Sequence, residues 1–125
     1  MAEPKKEFPV RAFRSLAEWE RWLATNHAKA EGVWLRFFKK DSGVATVVYA
    51  EAVEGALIYG WIDSQAKKYD DRSYIQKFTP RRAKSVWSKV NREKVLALVR
   101  SGRMRAAGQA AVDAAKKKAA ASIRP

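Results

Sequence analysis

Residues 61–79 constrain the fold of this chain more than any other stretch. Two runs rich in aromatic and branched residues, 61–69 and 72–79, flank Asp70-Asp71. Extended runs joined by two turn-prone residues predict a β-hairpin, although Asp-Asp is a poorer turn pair than Asp-Gly. Pro80 lacks the amide hydrogen that a ladder needs and ends the second strand.

Around this hairpin the pattern alternates between helix and strand. Residues 1–10 read as a flexible tail. Ser15 can cap a helix, and Glu18 stands three residues on, the spacing of a capping box. Leu16, Trp19, Trp22 and Leu23 then recur at helical spacing up to about Asn26. After Gly32, VWLRFFKK favours a strand, and DSG at 41–43 supplies a turn. AEAVEGALIYGW predicts a helix with Tyr49, Val53, Ala56, Leu57 and Gly60 on one side; Gly55 weakens it. Residues 85–91 open another helix, with Ser85 as its N-cap and Val90, Val95, Leu96 and Val99 on its apolar face. Gly102 is a natural stop. An Ala-rich helix occupies about 105–118, and 119–125 read as a disordered tail. The expectation is a single α+β domain over 11–118, with about three antiparallel strands and about four helices.

The chain has 125 residues, the size of one domain, and no Cys, which excludes disulfides, thiolate nucleophiles and Cys-based metal sites. Its longest uncharged apolar runs, GVATVVYA and GALIYGWI, fall far short of the about 20 residues of a membrane span. The start, MAEPKKEFPV, has no secretory h-region, so the expected location is the cytoplasm. Formal net charge is +13. Residues 1–60 carry nine Lys/Arg against eight Asp/Glu, whereas 61–125 carry seventeen against five. Such asymmetry points to a polyanionic partner, either a nucleic acid or another phosphate-bearing ligand, or an acidic protein surface.

The sequence offers little to a catalyst. His27 is the sole His and reads as a cation at a helix C-terminus. Asp63, Asp70 and Asp71 are the acids of the basic half. Asp70 and Asp71 suit a turn, and Asp63 suits pairing with a neighbouring cation. No phosphate-loop, dinucleotide, zinc-protease or EF-hand spacing is present. No catalytic residue, cofactor or metal site is therefore expected.

The stretch FTPRRAKSVWSKVN, residues 78–91, is different. Arg81, Arg82 and Lys84 lie in a turn, and Ser85, Ser88 and Asn91 are cap-type residues at a helix start. Free amide N–H groups there attract anions, and Arg side chains grip phosphate through two parallel hydrogen bonds. Across the hairpin, Lys67, Lys68 and Lys77 extend the positive field. Trp87, Tyr74 and Phe78 either stack on bases beside these cations or belong to the core, the second being favoured for large aromatics. Trp19, Trp22, Trp34 and Trp61 read as core.

The blocks WERWLATNHAKAEGVWLRFFKKDSG, GWID, YIQKFTPRRAKSVWSKVN and SGRM, within residues 15–108, resemble the YdeI/OmpD-associated family of bacteriocin-protection proteins. The resemblance implies a small bacterial α+β domain tied to bacteriocin or cationic-peptide resistance, with no established reaction. The family often has Thr-Pro-Ala-Gly after Gly-Arg-Met. Here 105–108 reads RAAG, without a capping Thr or an N1 Pro, so the last helix is expected to start less sharply.

Three readings follow: a non-enzymatic anion-binding domain, an accessory resistance protein docking on an acidic partner, and an enzyme with Asp63 and Arg81/Arg82 in a cleft.

Overall fold

The computed structural model describes residues 8–81 and 88–123, with side chains as far as 114. The order is β1 (Val10–Ala12), α1 (Leu16–Asn26), β2 (Val33–Phe38), α2 (Tyr49–Ile58), β3 (Trp61–Asp70), β4 (Ser73–Pro80), α3 (Lys89–Arg100) and α4 (Ala106–Ile123). The class is α+β. The sheet has four strands in the order β1-β2-β4-β3, and it is mixed. β1 runs parallel to β2, and the other pairs are antiparallel. This corrects the expectation of about three antiparallel strands. The added strand lies at the edge, where Pro9 O accepts from Trp34 N at 2.9 Å.

Each element has a local cause. Ser15 Oγ accepts from Glu18 N, which satisfies one orphan donor of α1, and Glu18 Oε1 accepts from Arg14 N at 2.7 Å, which ties down the residue before the cap. Gly102 adopts φ +75° after α3, and Arg103 N closes back on Leu98 O at 3.0 Å. That is the Schellman stop that Gly makes without strain.

The core forms where α1 and α2 cover one face of the sheet. Trp19 and Leu23 of α1, Val33, Leu35 and Phe37 of β2, Ala52 and Ala56 of α2, and Trp61 and Phe78 of the hairpin are buried together. The Trp19 ring meets Phe78 edge-on at 5.4 Å and stacks on Trp22 at 5.6 Å, geometries that aromatic quadrupoles favour. Trp19 Nε1 donates to Ala52 O at 2.9 Å, so the burial leaves no orphan donor there. Gly55 is required at this crossing: a Cβ would stand 2.7 Å from Trp19 Cδ1.

A second cluster joins Val53, Leu57 and Ile58 to Val95 and Leu98 of α3 and Val112 of α4. Here the expected faces need correction. α3 buries Val95 and Leu98, whereas Val90, Leu96 and Val99 are about half exposed. Its described helical packing is against α2, which covers only a narrow stripe of it. On α2, Tyr49 is exposed rather than core.

Candidate functional site

Side chains alternate along a strand, and directly paired residues share a face. In β2, Val33, Leu35 and Phe37 are buried and Trp34, Arg36 and Phe38 are half-buried. The register places Phe78, Gln76 and Tyr74 opposite the first set, and Lys77, Ile75 and Ser73 opposite the second. The first set faces α1 and α2. Since α3 and α4 pack on α2, the second set lies on a sheet face that no helix covers among the described residues, although Ile75 and Ser73 on it are themselves buried.

That face is both basic and aromatic. Lys67 Nζ lies 4.7 Å and Lys77 Nζ 5.4 Å from the centroid of the Trp34 ring. At this range the quadrupole of an indole attracts a cation. One step along β2, the Arg36 guanidinium lies 4.3 Å from the Phe38 ring and 4.8 Å from Tyr69. Arg36 Nη2 also donates to Asp70 Oδ2 at 2.6 Å, and Nε donates to Ser73 Oγ at 2.9 Å. Ser73 Oγ in turn donates to Asp70 Oδ1 at 2.7 Å, and Arg72 N donates to the same oxygen at 2.9 Å. The Ser73 hydroxyl first, then the Arg72 amide, hold the Asp70 carboxyl below its ordinary range, and Arg36 adds to this. Arg36 is thus fixed and its charge balanced. Lys67 and Lys77 are the cations of this face with no acid among their described partners.

The remaining expected site residues separate. Lys68 pairs with Tyr74 in the register, on the side opposite to Lys67, and lies 3.4 Å from Asp71 in an exposed ion pair. Arg81 N donates to Gly60 O at the end of the hairpin. Burial pulls the Arg81 guanidinium down to about 10, and the Asp63 carboxylate opposes that shift. Ser88 and Asn91 form the N-cap of α3, with Ser88 Oγ accepting from Asn91 N at 3.1 Å. The cap of this helix is therefore Ser88. Arg82, Lys84, Ser85 and Trp87 lie outside the described residues.

Asp63 is engaged structurally. Its Oδ2 accepts from Tyr49 Oη at 2.5 Å and from Gln76 Nε2 at 2.9 Å. His27 caps α1, its Nδ1 2.8 Å from Leu23 O, and its carbonyl accepts from Trp61 Nε1. Among the described residues no group of His, Asp and Glu is placed to hold a metal ion.

Sequence reasoning assigned Trp34 to the core, and the structure corrects this: the ring is half-buried on the uncovered face. Arg36, Phe38 and Tyr69 were missed as companions of the lysines. The signal that could have found Trp34, Arg36 and Phe38 is the strict alternation in VWLRFF, which sends those three to one side. Tyr74 and Phe78, the aromatics weighed beside the lysines, are on the helix-covered side. Phe78 is fully buried, and Tyr74 stacks on Phe37 at 5.2 Å.

Fold and site together define an α+β domain with a basic, aromatic sheet face that has no helix over it among the described residues. The chain belongs to the DUF8412 family, a domain of unknown function, whose model matches residues 11–111. No curated protein and no solved structure matches it. No described helix is long and apolar enough to cross a membrane.

Proposed function

We propose that this protein is a non-enzymatic anion-binding domain that holds a phosphate-bearing ligand, either a nucleic acid or a phosphorylated molecule, on its uncovered sheet face. The observation that carries this reading is the placement of Lys67 and Lys77 over Trp34. Two cations concentrated on one apolar ring, in a half-molecule with seventeen Lys/Arg against five Asp/Glu, form a focused field and not a dispersed one. The helix start after the hairpin, with Ser88 and Asn91 at its cap, and Arg81 at the hairpin's end, are the further contributors from the basic half.

The test is a fluorescence-anisotropy titration with labelled inorganic polyphosphate and a labelled oligonucleotide over a range of salt. Binding should weaken steeply with salt as counterions are released. Lys67→Ala with Lys77→Ala should flatten the log-salt slope for a single strand by about 1.4 units, the value for two phosphates. Arg100→Ala with Arg105→Ala removes the same charge from exposed positions and should leave the slope almost unchanged. Equal losses from both pairs would mean a diffuse basic field with no site.

The second reading is an accessory resistance protein docking on an acidic protein partner. The resemblance to the YdeI/OmpD-associated family supports it, as do the exposed Leu96 and Val99 of α3, close in sequence to Arg92 and Arg100. It takes precedence if the parent protein binds neither polyanion at low salt.

A further inference from the structure

We infer that the occupant of the uncovered sheet face is single-stranded nucleic acid, with a base stacked on Trp34 and the adjoining phosphates taken by Lys67 and Lys77. This rests on the anion-binding reading and narrows it to one ligand class.

Charge alone does not explain the arrangement of this face. A site for phosphate needs donors only. Here the two lysines of the face with no described acidic partner converge on the indole of Trp34, at 4.7 Å and 5.4 Å. Trp34 is only half-buried, and no described helix lies over it. The face therefore presents two chemistries at one point, a flat π surface and two ammonium groups. A nucleic acid strand alternates the same two, a flat base and an anion. On binding, an ammonium can leave the ring for a phosphate while a base takes its place, so each gained contact replaces a weaker one of the same kind.

Other phosphate-bearing ligands use only half of this. Polyphosphate has no ring. A duplex keeps its base faces stacked inside and offers only its backbone to a flat sheet. Unpaired bases stacking on aromatic side chains, with a basic surface tracking the backbone, is the common mode for single strands.

The rest of the face fits a platform and not a phosphate clamp. Arg36 is balanced by Asp70 at 2.6 Å and held between Phe38 and Tyr69. It stiffens the strand two residues from Trp34 and carries Tyr69, itself about half exposed, as the outer ring. Trp34 and Phe38 are four residues apart on β2, roughly 13 Å at the rise of a strand. The two aromatic positions are thus separated along the strand and need not be served by one base.

The experiment compares four ligands on the parent protein at one low salt concentration: oligothymidylate of about ten nucleotides, an abasic strand of equal length, a duplex of equal length, and inorganic polyphosphate. Oligothymidylate should bind about ten-fold or more tightly than the abasic strand, the lower range of base–aromatic stacking. It should also bind more tightly than the duplex, although the duplex has the higher charge density and a purely electrostatic surface would prefer it. Trp34→Leu should remove most of this preference with the salt slope unchanged, and Trp34→Phe should keep it. The four-ligand comparison on the parent decides the matter even where Trp34→Leu fails to fold. Equal affinity for the base-bearing and abasic strands, or a preference for the duplex, would overturn the stacking inference and leave the anion-binding reading standing. Failure of all four ligands to bind at low salt would overturn both.

Discussion

Tyr49 and Asp63 close the seam between α2 and β3: the phenol Oη donates to Asp63 Oδ2 at 2.5 Å, and Gln76 Nε2 donates to the same oxygen from β4. One carboxylate oxygen thereby ties the first turn of a helix to two neighbouring strands. The contact lies on the helix-covered side of the sheet, away from Trp34, so it bears on stability and not on the proposed binding face.

Burial first, then the hydrogen bond to Asp63, push the Tyr49 phenol up to about 12 from an ordinary value near 10. The folded state thus holds this proton where the unfolded state releases it. The stabilisation is fully present below about pH 10 and is lost as pH rises through about 12. A spectrophotometric titration of the four tyrosines should show one phenol ionising near pH 12, and Tyr49→Phe should remove it. A Tyr49→Phe profile superimposable on the parent's would refute the assignment.

Asp70 sets the opposite limb. Its carboxyl is held low, chiefly by the Ser73 hydroxyl and the Arg72 amide. A depressed carboxyl contributes stability above its ordinary value, about 3.9, and loses it as pH falls through the folded value. Asp70→Asn should therefore destabilise the protein at neutral pH and much less in strong acid, where the parent's carboxyl is protonated as well. Thermal melts at a series of pH values would check this. A constant gap between the two proteins at all pH values would contradict it.

Gly108 marks the closest approach of α4 to α2. A Cβ there would press on the Ile58 carbonyl and come within 2.7 Å of Leu57 O, and backbone cannot rotate aside as a side chain does. Gly108→Ala should cost about 1–3 kcal/mol, in the range of overpacked interiors, despite the better helix propensity of Ala. Chemical denaturation measures it, and a stabilised variant would show that α4 does not dock as described.

Trp19→Ala should be the most damaging single truncation in the core, at about 3–5 kcal/mol. It deletes a fully buried ring that touches Trp22 and Phe78 and removes the indole hydrogen bond to the Ala52 carbonyl. Retention of the parent's denaturation midpoint would contradict the packing described.

Much of this architecture was readable from residue patterns because its causes are local. Ser15 with Glu18, the stripe of Trp19 and Leu23, the paired runs around Asp70-Asp71 and the stop at Gly102 each act within a few positions. β1 was not readable: Val10–Ala12 is three residues long and pairs with β2 across the whole of α1, so no neighbouring turn announces it. The face of α3 differs from the expectation because the helix turns Val95 and Leu98 toward α2 and α4 and leaves three apolar residues, Val90, Leu96 and Val99, exposed. Ser85 and Ser88 are both cap-type residues, three positions apart; Ser88 caps α3, and Ser85 lies outside the described residues. Of the proposed binding face, the lysines at 67 and 77 were legible as charge. Their convergence on Trp34 depends on β2 pairing with β4, which links residues more than thirty positions apart.

The central claim is that the uncovered sheet face is where the ligand sits, and heteronuclear NMR tests it most directly. Oligothymidylate is added to labelled protein, and the indole N–H signals are followed together with the backbone amides. Trp19 Nε1 is hydrogen-bonded to Ala52 O and Trp61 Nε1 to His27 O, both on the helix-covered side. The account predicts that the Trp34 indole and the amides of Arg36, Lys67, Ile75 and Lys77 shift progressively while the Trp19 and Trp61 indoles remain in place. Perturbations centred on Leu96 and Val99 of α3, with Trp34 unmoved, would contradict it.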